Sequence, residues 1–96
     1  MKKISILGYE ADVAESFLER AKGLIGCRAP APGEYRAMLI KKCNAIHTFF
    51  MKFPIDAIFL DKNGNVVKTV RNIPPSRFLV WGGFRAKSVL EISSRK

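Results

Sequence analysis

The sequence predicts an α+β domain dominated by antiparallel β-structure. We expect a small closed barrel or sandwich of about six to seven short strands, with one N-terminal helix at about residues 12–22. Three observations predict it. Short runs rich in apolar, β-branched and aromatic residues alternate with turn residues along most of the chain. Asn63-Gly64 stands between two such runs, the strongest short signal for a β-hairpin. A helical period is found only near the N-terminus.

Residues 3–7 alternate Ile4 and Ile6 with polar neighbours and read as an opening strand. Asp12 is a good N-cap, and Glu15 three residues on completes a capping-box pattern. Val13, Phe17 and Ala21, with Ala14 and Leu18 beside them, follow the helical period, and Gly23 supplies a stop. Residues 26–34 hold two prolines and two glycines and form a loop. Residues 36–41 and 44–51 are strand candidates, and Pro54 breaks the second. Residues 55–61 and 65–70 flank Asn63-Gly64, where a tight turn asks for positive φ at both central residues. Pro74-Pro75 ends that region. Residues 77–81 and 86–92 make two more strands joined through Gly82-Gly83. With no repeat and no linker, the 96 residues predict a single domain, 1–96.

Composition excludes several classes. Two cysteines and one histidine rule out a disulfide scaffold and a four-cysteine zinc site. Nothing approaches the roughly 18–20 apolar residues of a membrane span. The apolar run Ile4–Leu7 is too short for an export signal, so the chain is expected to be cytoplasmic with reduced thiols. The net charge of +9 is uneven. Residues 1–34 balance five bases against five acids; residues 35–96 hold twelve bases and only Asp56, Asp61 and Glu91. That excess is an attraction for polyanions.

The blocks Ile46-His47-Thr48-Phe49-Phe50-Met51, Pro54-Ile55-Asp56 and Phe59-Leu60-Asp61, followed by Gly64 and Val66-Val67, resemble the domain-of-unknown-function 192 family, also called uncharacterised protein family 0127. Arg20-Ala21-Lys22-Gly23-Leu24, Arg28, the Pro-Gly-Glu turn at 32–34 and Val89-Leu90-Glu91 match as well. The resemblance runs from about residue 10 to residue 92. It implies a compact, mostly β domain of bacteria and archaea without an assigned biochemical role. Relatives usually continue beyond the Leu-Glu strand, and many carry an export signal. A closing strand from another copy, hence a homo-oligomer, is one expectation from that difference.

Four constellations are candidates for chemistry. Cys43, His47 and Met51, spaced four and four, are a soft ligand set of the kind that suits Cu(I). On one strand they would span roughly 26 Å, too far for one ion unless the segment is helical or sharply bent. Core sulfur atoms with one hydrogen-bonded histidine are the expectation, with no metal and no cofactor. His47 and Asp56 come next: a His–Asp pair fixes an imidazole tautomer, as a structural clamp, a polar binding group or a general base. Asp61-Lys62-Asn63-Gly64-Asn65 is too short for a calcium loop and reads as a turn. Last, Arg71, Arg77, Phe78, Trp81, Phe84, Arg85 and Lys87 mix bases with aromatics, as single-stranded nucleic-acid binders do.

Three functions are therefore weighed. The first is a binding module for an unknown small ligand, with a pocket around residues 47–61. His47 and Asp56 would be its polar groups, and Phe49, Met51 and Trp81 its apolar lining. The second is a nucleic-acid-associated protein using Arg71, Arg77, Arg85 and Lys87. The third is an enzyme built on the His47–Asp56 pair.

Overall fold

The computed structural model describes residues 2–77 and 79–93, with eight strands and one short helix. In chain order they are β1 (Lys3–Ile6), β2 (Tyr9–Ala14), α1 (Phe17–Lys22), β3 (Ala37–Lys41), β4 (Ala45–Ile46), β5 (Ile55–Leu60), β6 (Val66–Ile73), β7 (Val80–Trp81) and β8 (Ser88–Ser93). Six strands form one sheet in the order β1-β2-β3-β8-β5-β6. Every pair in it is antiparallel except β2 with β3, which run parallel and are joined through α1. A second, two-stranded ribbon pairs β4 with β7. The sheet has two free edges, β1 and β6, so it does not close into the expected barrel.

The predicted helix at 12–22 is half strand. Ala11, Val13 and Ala14 are buried in β2, where Asp12–Ala14 pair with Met38–Ile40. Asp12 is no cap; its carboxylate takes the Lys3 ammonium at 2.7 Å across the hairpin. The capping box exists one turn later, with the Ser16 hydroxyl accepting from Glu19 N–H and the Glu19 carboxylate accepting from Ser16 N–H. The Gly23 stop holds: its φ is +52° and its N–H closes on the Glu19 carbonyl at 3.0 Å. Leu18, expected on the core face, lies 77% exposed. Phe78 and the Phe17 side chain lie outside what is described.

Both hairpins carry a lesson about turns. Residues 55–70 do form one, but φ is positive at Gly64 alone and not at Asn63. Asp61 builds that turn: its carbonyl accepts from Gly64 N–H, and its carboxylate accepts from the N–H groups of Asn63 and Asn65, each at 2.9 Å. The two-residue turn with positive φ at both positions lies instead at Leu7-Gly8. Leucine is poorly suited there, because its Cβ crowds the following carbonyl in left-handed backbone. Leu7→Asn is therefore expected to stabilise the domain by about 1 kcal/mol. Urea denaturation measures it, and an unchanged or lowered midpoint would refute the strain.

Strand alternation gives the sheet two buried faces. Met38, Ile40, Ile55, Ala57, Phe59 and Val89 look toward the β4–β7 ribbon, and they pack with Leu24, Ile46, Met51, Phe53 and Val80. Leu39, Leu60, Leu90 and Ile92 look the other way, with Ala11 and Ala37. β8 sits mid-sheet with β3 and β5 both in place, so no neighbour is lacking there.

Candidate functional site

On the ribbon side of the sheet, a cavity of about 280 Å³ opens between the C-terminal end of α1 and strands β3, β4 and β8. Each wall follows from local sequence. Gly23 turns the chain off α1 and brings it down onto Glu91 of β8. The backbone there has φ +52° and ψ −128°, which favours glycine, and a Cβ at position 23 would lie 2.8 Å from the Glu91 Oε1 and push that carboxylate aside. Ile40 and Ile46 supply apolar wall from β3 and β4. The short β4 ends at Ile46, and the following turn brings Met51 back into the lining beside His47.

Glu91 dominates the electrostatics. It lies in the run Val89-Leu90-Glu91-Ile92, and register opposite Ala57 and Met38 points it into the main core. It is 2% exposed. Among the described residues, its carboxylate accepts one hydrogen bond, from Leu24 N–H at 3.2 Å, and forms no ion pair. Burial pushes its carboxyl up to about 7, against the opposing effect of the Leu24 N–H. Near neutral pH this group exists both as a proton donor and as a carboxylate.

Its neighbours are of mixed kind. Burial also raises the Cys43 thiol, which donates to the Ala45 carbonyl at 3.1 Å. It stays protonated and is a weak nucleophile and a weak metal ligand. The Arg20 guanidinium lines the same cavity. Its Nη1 reaches the Lys42 carbonyl at 3.5 Å, and its Nε–H is buried without an acceptor among the described residues. Among the described residues no three His, Cys, Asp or Glu side chains converge as a metal site. This arrangement can hold a small molecule by hydrogen bonds. It offers no activated nucleophile.

Residues 2–95 match the family DUF192, described as uncharacterized ACR. The chain belongs to the DUF192 family. It is 37% identical over 83 residues to the UPF0127 protein PH1112 of Pyrococcus horikoshii, covering 85% of this chain and 70% of that protein. Two solved structures share the fold. One is a protein of unknown function from Novosphingobium aromaticivorans, at a TM-score of 0.70 and 19% identity, covering 96% of this chain and 71% of that one. The other is a Sinorhizobium meliloti protein whose name proposes a role in transcription regulation, at 0.73 and 18%, covering 96% and 78%.

Of the residues singled out in sequence, this DUF192 chain brings His47 and Met51 to the cavity, with Cys43. Asp56 lies elsewhere. Its partner in register is Ile92, on the opposite sheet face from Glu91. There β6 bulges, with Arg71 and Asn72 standing opposite the single Asp56. The Asp56 carboxylate accepts from Asn72 N–H at 2.8 Å and from Arg71 at 3.4 Å, which meets the donor that the bulge would leave unpaired. The sheet thus stands between Asp56 and the His47 cavity.

The clamp expected of His47 is made by Thr48. Thr48 is fully buried; its hydroxyl donates to the Pro74 carbonyl at 2.6 Å and accepts from Arg77 N–H at 2.8 Å. His47 itself is exposed at the cavity rim, 5.9 Å from the Phe49 ring. Trp81 packs edge-on against Phe84 on the outside of the ribbon and does not line the cavity. The bases are dispersed: Arg71 reaches toward Asp56, while Lys87 lines a recess with Lys42. Arg85 lies near enough to Asp61 to help hold its carboxyl low, behind the larger effect of the Asn65 N–H. Sequence reasoning missed Glu91 as a site residue. The available signal was a lone acid inside an apolar strand.

Proposed function

We propose that this DUF192 chain is a small-molecule-binding domain whose site is the cavity between α1, β3, β4 and β8, with Glu91 as its polar anchor. One observation carries the reading: a carboxyl group, almost wholly buried, faces a cavity with a single backbone donor to satisfy it. An unpaired buried carboxylate is costly, and such groups concentrate at functional sites. The lining supports it, since Ala21, Ile25, Ile40, Ala45, Ile46 and Met51 give apolar wall beside the polar groups of Arg20, Lys22, His47 and Glu91. The protonated Cys43 and the separation of His47 from Asp56 favour binding over covalent or His–Asp catalysis.

NMR shift mapping with n-butylamine, butyrate and n-butanol tests this. His47 is the only histidine, so its ring gives one unambiguous signal at the rim. At least one probe should move that signal together with the amides of Leu24 and Cys43. Shifts scattered over the surface, or none, would refute the cavity as a site.

A further inference from the structure

Arg20, Lys22, His47 and Glu91 are the ionisable side chains of the cavity lining besides Cys43, and two of them, Glu91 and Arg20, carry buried polar atoms that are under-satisfied and opposite in sign. Among the described residues the Glu91 carboxylate accepts a single hydrogen bond, from Leu24 N–H. On the α1 side is the Arg20 Nε–H, buried and without an acceptor among the described residues. The two are not joined to each other, for no Arg20–Glu91 ion pair lies within 4.0 Å. Cys43 lies between their fields: the Glu91 charge raises its thiol and the Arg20 charge lowers it, both less than burial does. Ile25, Ile40 and Met51 furnish an apolar wall beside these groups.

A ligand that met only one demand would leave the other group desolvated and unpaired, which weakens binding roughly tenfold or more. A simple anion would answer Arg20 and be repelled by Glu91. A simple amine would answer Glu91 and leave the guanidinium unmet. The volume, about 280 Å³, lies at the small end of ligand pockets, so the molecule is a compact one. We infer that the cavity takes a small zwitterion of the amino-acid type, its ammonium group seated on Glu91, its carboxylate on Arg20 and a short apolar side chain against Ile25, Ile40 and Met51. This inference rests on the binding role proposed above.

The test compares norvaline with two relatives that each lack one charge. Norvalinamide keeps the ammonium without the carboxylate, and N-acetylnorvaline keeps the carboxylate without the ammonium. 4-Aminobutyrate probes a wider spacing of the two charges. Affinities are read from the His47 ring and Leu24 amide shifts. One of the two zwitterions should bind at least tenfold more tightly than either single-charge relative. Arg20→Gln and Glu91→Gln should each reduce that zwitterion to the single-charge level. Arg20→Gln replaces a partly exposed helix residue and tests the carboxylate seat independently of Glu91. If a single-charge compound binds as tightly as both zwitterions, or Arg20→Gln leaves zwitterion affinity unchanged, the inference fails while the cavity remains a binding site. If none of these compounds, nor butylamine, butyrate or butanol, shifts the cavity signals, both readings fail.

Discussion

Replacing Glu91 by Gln is expected to flatten the pH dependence of stability between about pH 4.5 and 7. The folded carboxyl holds its proton up to about 7, whereas the unfolded group releases it near 4.5. Below pH 4.5 both states are protonated, and the buried acid imposes no charge penalty. As pH rises from there, the unfolded chain sheds the proton first, so stability falls. The loss is complete above about 7 and amounts to about 3 kcal/mol, the free-energy equivalent of that difference. Glutamine has the same shape, still accepts from Leu24 N–H and does not titrate. The variant should match wild type near pH 4.5 and exceed it by up to about 3 kcal/mol at pH 8. Asp61 and Glu19, held low by backbone N–H groups, act with the opposite sign and below this window. Urea midpoints at pH 5, 6, 7 and 8 decide the matter. Parallel curves for the two proteins would mean that Glu91 is not the titrating group.

Gly82→Ala is expected to destabilise the fold severely, by about 3 kcal/mol or more. The β4–β7 ribbon crosses Phe59 at Gly82, whose N–H is tied to the Asn44 carbonyl at 2.7 Å. A Cβ there would overlap Cδ1, Cγ and Cε1 of the Phe59 ring, the farthest of them at 2.8 Å. Neither side has slack, since Phe59 is fully buried in the main core and the ribbon is hydrogen-bonded in place. The φ of Gly82 is not the left-handed kind, so the cause is steric alone. Phe59→Leu in the Gly82→Ala background should recover part of the loss, because the two side chains compete for one volume. A midpoint change below about 1 kcal/mol for Gly82→Ala, or purely additive effects in the double variant, would contradict this packing.

Much of this could be read in advance where one physical effect dominates. The runs at 3–7, 36–41, 55–61, 65–70 and 86–92 became β1, β3, β5, β6 and β8, because alternation over a pleated strand leaves few other options. The Ser16-Glu19 box and the Gly23 stop are local chemistry, though the same acids at 12 and 15 gave a false start one turn too early. Val13 and Ala14 fit a helix and a strand equally well. What decided for the strand was the edge of β3, a partner over twenty residues away in sequence.

The mostly β class, a hairpin turning about Asn63-Gly64, the end of the helix and the family were all legible from the chain alone. All of these rest on neighbours in the chain or on motifs read in order. Which polar groups meet was set by the packing of distant segments. It set Asp56 against a bulge whose position depends on the β5–β6 register, and it gave the clamp to Thr48 rather than His47. It also brought Glu91 from β8 beneath a loop that begins at residue 23, although 67 residues separate Glu91 from the N–H that binds it. A charge in an apolar strand is visible in the sequence. Whether it is buried, and what it faces, is a property of distances between segments, which only the folded chain specifies.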